Sequence, residues 1–193
     1  MSIIDLTEFA RRKQAQAASP AVAASVSHRE EGTLLLAVFP GSGRHLQVLS
    51  HVCGYLAKPE GGTAESHRAV ILAEGRDYVK VCQALGGTYV DVYGAGEYAT
   101  ERFGDTPLFV YDFSRVTGPI TEPLDELTFG HPDTLLVIDG ATGILSRYPR
   151  AFSLTTRYAK AGSGVMVMGN TADEVRCFEM AHKHVLLLLP EEA

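Results

Sequence analysis

The residues best suited to chemistry fall in two short stretches far apart in the chain. The first is "VFPGSGRH", Val38 to His45, which follows the apolar run "TLLLAVF" and precedes a segment with helical periodicity. A glycine-rich turn between a strand and a helix can hold a phosphate, because the helix presents unpaired N–H groups there. A complete phosphate loop reads G-x-x-x-x-G-K-[ST]; its lysine neutralises the phosphates and its hydroxyl binds magnesium. Aligned on Gly43, this chain has Val38 for the first glycine, Arg44 for the lysine and His45 for the hydroxyl residue. Only Gly41, Ser42 and Gly43 are kept. Arg44 preserves the charge with a fork of different reach, and an imidazole cannot replace a small magnesium-binding hydroxyl. A tight strand-to-helix turn accounts for the glycines without any ligand. The second stretch is "DTLLVIDGAT", an apolar strand ending in Asp139. A Walker B element has this form and holds magnesium through its carboxylate. An acid that polarises water follows in many such sites; here the residue is Gly140.

The elements that must position these groups are short apolar runs alternating with helical patterns. "TLLLAVF", "RAVILA", "TYVDVY", "LFVYDF", "TLLVID", "GVMVMG" and "HVLLLL" read as strands. Leu46, Leu49, Val52, Cys53 and Leu56 share one helical face, and Tyr78, Val81, Cys82 and Leu85 share another. A third helical face runs from Tyr148 to Ala159, and "TADEVRCFEMAH" opens with a capping box, Thr171 with Glu174. Strands apolar on both faces and alternating with helices predict an α/β fold, a mainly parallel sheet covered on both sides. The two stretches are expected to converge, with "TLLVID" beside "TLLLAVF". Gly86 and Gly87 read as a left-handed helix cap. "GAGEYATERFGDTP" reads as a solvent-facing loop carrying Glu97, Glu101 and Asp105, and Asp112 as either a ligand-facing or a turn-capping group.

The chain has 193 residues, 46% hydrophobic, which suits one globular domain with a sizeable core. Its net charge of −6 supplies no global basic field for nucleic acid or anionic lipid; direct nucleic-acid binding is left open. Arg147, Arg150, Arg157 and Lys160 read as a solvated or salt-bridged strip rather than a DNA contact. Three widely spaced cysteines, Cys53, Cys82 and Cys177, read as buried free thiols in a reducing compartment, and the seven histidines show no metal-ligand spacing. No metal site is expected. No run is long enough for a membrane span, and no secretory signal is evident, so a cytoplasmic location is expected. Residues 1–32 read as a short amphipathic helix followed by an Ala/Ser/Pro-rich linker, and residues 33–193 as the folded domain.

Between the two stretches, "RAVILAEGRDYVKVCQALGGTYVDVYGAG" supplies a strand ending in Glu74, a helix, a double glycine and a strand. At "LGGTYVDV" the sequence resembles the ATPases of conjugative transfer and type IV secretion, in the HerA–FtsK branch of RecA-like motors. "PLFVYDFSRV", "TLLVIDGAT", "RAFSLTTRYAKAGSGVMVMGNTADEV" and "CFEMAHKHVLLLLPEE" follow in the order of that family's later elements. The resemblance covers roughly residues 33–192 and implies a RecA-like, P-loop-type three-layer fold. It further implies that Gly41, Ser42, Gly43, Arg44, His45 and Asp139 are the remains of a nucleotide site, and that Arg157 is an interface residue. Departures are several: the P-loop lysine and hydroxyl, the acid after Asp139, the sensor glutamine and the large helical insertion are all missing. Each removes a different part of phosphoryl-transfer chemistry. The expectation is a pseudo-ATPase with no catalytic residues, binding ATP and Mg2+ weakly or not at all. Its implied partner is a motor ATPase or another component of the transfer machinery, met in the cytoplasm or at the periphery of the inner membrane, with self-association left open. The alternatives are a weakly active P-loop ATPase and a nucleotide-binding regulator without turnover.

Overall fold

Strand β1 (Thr33–Val38) runs parallel to two neighbours, β7 (Gly164–Gly169) and β8 (His184–Leu188). The sheet continues from β7 through β6 (Thr134–Asp139), β2 (Arg68–Ala73) and β5 (Leu108–Asp112) to β3 (Thr88–Gly94), all parallel. Strand β4 (Glu97–Arg102) pairs antiparallel with β3 and forms the outer edge. The computed structural model describes residues 33–38, 44–56, 67–94, 96–124, 134–161, 163–178 and 184–188. Among these the order is β4-β3-β5-β2-β6-β7-β1-β8, an eight-stranded sheet. The expected helix and linker at residues 1–32, and Gly41, Ser42 and Gly43, lie outside the described residues.

Each central strand is apolar on both faces because helices cover both. Helix α1 (Arg44–Leu56) and helix α2 (Tyr78–Leu85) pack Val48, Val52, Tyr78, Val81 and Cys82 against Ile71, Val110, Val137 and Met166. Helices α3 (Ala141–Arg147), α4 (Ala151–Lys160) and α5 (Ala172–Arg176) bring Ile144, Leu154, Tyr158 and Val175 to the opposite face, against Leu72, Leu136, Ile138 and Val167. Right-handed crossovers demand this division, since the chain travels one way along the sheet through α1 and α2 and the other way through α3 to α5. The α/β, three-layer expectation holds.

Several local readings change. "TLLVID" does not lie beside "TLLLAVF": β7 is inserted between them, its Val165 pairing Leu34 on one side and Leu136 on the other. The segment read as a loop contains β4, whose six residues are all exposed. With no buried face it shows no apolar alternation; its signal is Gly96, which takes φ 72 just before the strand. Helix α3 was not expected, and Pro149 separates it from α4. The cysteines are free, but only Cys82 is buried, which pushes its thiol up to about 12; Cys177 is exposed. Gly86 caps α2 at φ 67, as read, while a side chain on Gly87 would strike the Leu108 carbonyl at 2.9 Å. Thr171 caps α5, accepting from the Glu174 N–H at 3.4 Å, and Glu174 returns to the Asn170 N–H at 2.7 Å.

Candidate functional site at the carboxyl edge of the sheet

Ligands of open α/β sheets gather at the carboxyl ends of the strands, where neighbouring connections leave on opposite faces. Here β1 is followed by α1 on one face and its neighbour β7 by α5 on the other, so the sheet has such a switch point between them. Arg44, the first residue of α1, reaches over this switch point to the ends of β6 and β7. Its Nε donates to Oδ1 of Asp139 at the end of β6, and its Nη1 donates to Oδ1 of Asn170 at 2.8 Å. The Tyr78 hydroxyl, from α2, donates to the second oxygen of Asp139 at 2.7 Å. Burial, then the charge of Asp139, pushes the Tyr78 phenol far above its ordinary range. The Asp139 side chain is 9% exposed and that of Arg44 16%. The two sequence stretches therefore converge despite the intervening strand, and both oxygens of the carboxylate are already occupied by groups of the chain itself. His45 follows in the first turn of α1, half-buried. Arg157 lies elsewhere, on the exposed face of α4.

Sequence reasoning marked Asp112 but missed the row of carboxylates to which it belongs. Asp91, Asp112, Ala73 and Asp139 are successive register partners across β3, β5, β2 and β6, so three carboxylates lie in one row on the α1–α2 face. Neighbouring strands sit ~4.8 Å apart; such a row is sustainable only if each charge is compensated. Asp112 accepts from the Tyr89 hydroxyl and from the Ser114 N–H at 2.7 Å, which makes it the turn-capping group. Asp91 faces Arg115 at 3.1 Å and Arg76 at 3.5 Å, and Arg115 also lies over the Tyr93 ring. The signal in the sequence was an aspartate at the same height in three strands, legible only once their register is known.

Glu74 follows Ala73 and so turns to the opposite face. Its carboxylate rests on the start of α3: a Cβ on Gly140 would lie 2.6 Å from Glu74 Oε2, and one on Gly143 would overlap it. Gly140 has φ 92, which a side chain disfavours. Arg147 approaches the same oxygen at 3.9 Å. Burial raises the Glu74 carboxyl above its ordinary value, partly offset by the charges of Arg147 and Arg44. In the basic strip, Arg147 also donates to the Gly143 carbonyl at 3.1 Å and Arg150 to the Thr121 carbonyl, while Arg157 and Lys160 are exposed on α4. Among the described residues there is no group of three or more side chains suited to a metal ion, and no helix long and apolar enough to cross a membrane. Neither protein-family models nor curated proteins match the sequence.

Proposed function

We propose that this domain is a non-hydrolysing relative of the RecA-like motors of conjugative transfer, working through protein contacts rather than turnover. The observation that carries the reading is the Arg44–Asp139 pair. In a phosphoryl-transfer site the strand-end aspartate serves a magnesium ion and the loop cation serves the phosphates. Here each neutralises the other, and Tyr78 takes the remaining oxygen. A nucleotide with its metal would have to break the pair before gaining either contact. Binding of ATP is thus expected to be weak and insensitive to magnesium, because no hydroxyl stands at position 45 to hold the metal. The order of elements supports a partner of the same class: a motor ATPase subunit or transfer-machinery component, in the cytoplasm or beside the inner membrane, whose activity this domain assists or restrains.

The test is turnover and calorimetry. Purified protein with ATP and magnesium should hydrolyse no faster than its Asp139→Ala variant, and titrations with and without magnesium should coincide. Tight, magnesium-dependent binding, or turnover abolished by Asp139→Ala, overturns the proposal. One observation favours a second reading, a weakly active ATPase: Glu74 brings a carboxylate from β2 to the space beside Gly140, where an acid was missing. In that case residual turnover would vanish in Glu74→Gln while nucleotide affinity stayed unchanged.

A further inference from the structure

Among the described residues, strand β4 ends the sheet with six exposed residues, "EYATER"; it contains no proline, and no described strand pairs with the backbone N–H and C=O groups along its outer side. Such an edge templates another strand unless its side chains forbid it. The side chains of β4 can be tested against pairing with a second copy of the same strand. A two-fold axis that sets two edge strands side by side and antiparallel stands normal to the sheet. It preserves the faces, so it must pass through a residue and its copy rather than between two residues. For a six-residue strand the two central choices are Ala99 and Thr100.

With Ala99 on the axis, Glu97 lies opposite Glu101 of the second copy, twice over; like charges directly opposite are destabilising. With Thr100 on the axis, the same strand becomes complementary. Tyr98 then faces Arg102 of the second copy, again twice, and the two Thr100 hydroxyls meet at the centre. Tyr98 is 48% exposed, and the Arg102 side chain is 67% exposed, tied on the surface to Asp105 and the Gly104 carbonyl. An arginine over a tyrosine face is attractive at such sites, and opposed threonines pair well in antiparallel sheets. The charges that guard this edge against one register thus leave the neighbouring register open.

We propose that β4 is a self-association edge: two copies pair their β4 strands antiparallel about Thr100, joining two sheets into one. The contact lies at the opposite end of the sheet from β1 and does not depend on the Arg44–Asp139 site.

Sedimentation velocity on the full chain tests it, together with cysteine cross-linking in a Cys53→Ser, Cys177→Ser background. The wild type should show a concentration-dependent dimer. Directly opposed residues stand within disulfide reach, whereas the two Ala99 positions would be displaced by two residues along the strands, beyond it. Thr100→Cys should therefore cross-link at least about tenfold faster than Ala99→Cys. Thr100→Asp and Thr100→Lys should each weaken the dimer at least about tenfold, with unchanged circular dichroism, and an equimolar mixture of the two should restore it. A wild type that stays monomeric overturns the proposal, as does faster cross-linking at position 99 or a mixture no better than its components.

Discussion

Separating Arg44 from Asp139 should cost far more than removing a surface ion pair. Exposed pairs contribute about 0–1 kcal/mol, but here the side chains are 16% and 9% exposed. Truncating one member of a buried pair leaves the other charge desolvated, at about 3–5 kcal/mol. Arg44 retains some access to water and a second contact to Asn170, so Arg44→Ala should fall near the lower bound, about 3 kcal/mol. For a domain of this size that corresponds to a fall in Tm of roughly 6–12 °C. Asp139→Asn keeps an acceptor for Tyr78 and strands only the more exposed guanidinium, so about 2 kcal/mol is expected. The double variant should cost clearly less than the two together, with a coupling of about 2 kcal/mol. Urea denaturation of the four proteins, followed by circular dichroism, measures the cycle. Additivity within about 0.5 kcal/mol would mean that the two groups do not depend on each other, and the argument for a self-neutralised site would fail.

Three further perturbations probe the same edge. Tyr78→Phe removes a hydrogen bond to a charged acceptor and should destabilise by about 1.5–3 kcal/mol in the same denaturation assay. Gly143→Ala places a methyl group where the Glu74 carboxylate lies; a loss of about 1–3 kcal/mol is expected, and Glu74→Ala in the same chain should recover most of it. Glu74→Gln should stabilise the domain at neutral pH, by less than about 1 kcal/mol because the side chain is a third exposed. Its carboxyl is raised in the folded state, so the folded chain binds more protons and wild-type stability falls as pH rises from the unfolded carboxyl range through the raised folded value. Denaturation across that range should show the advantage of Glu74→Gln disappearing at the acid end.

The fold was legible where burial is two-sided. "RAVILA", "TLLVID" and "GVMVMG" are apolar on both faces through their middles because helices cover both faces, and each appears as a strand with the bounds its composition indicates. β4 was illegible for the converse reason: a strand buried on neither face leaves no hydrophobic period to read. Strand order was beyond sequence because the run following "TLLVID" carries no mark of which neighbour it joins; β7 enters beside β1 through α3 and α4. Of the site, Arg44 and Asp139 were visible as motif positions. Glu74 was visible only as the acid ending its strand; the Arg44–Asp139 contact, the part of Tyr78 and the placement of Glu74 beside Gly140 were not, since each depends on which strands and helices become adjacent.

That contact changes what the departure at position 44 signifies. Read along the chain, arginine in place of lysine is a poor phosphate ligand, and substitution back towards the motif ought to improve nucleotide binding. In the folded domain the same arginine is the counter-ion of a buried aspartate and also reaches Asn170. Its fork serves both acceptors at once, whereas an ammonium is a single point of charge on a flexible stem. Arg44→Lys with His45→Thr therefore separates the two meanings. A decayed phosphate loop gains affinity for ATP with magnesium when its residues are returned. A self-neutralised site instead loses about 1–2 kcal/mol of stability, because the contact to Asn170 is given up and the Asp139 pairing loosened, and its affinity for nucleotide stays weak. Denaturation and calorimetry on that one variant distinguish the outcomes. A stable protein that binds magnesium–ATP tightly would show that the guanidinium, not the surrounding fold, had kept the nucleotide out.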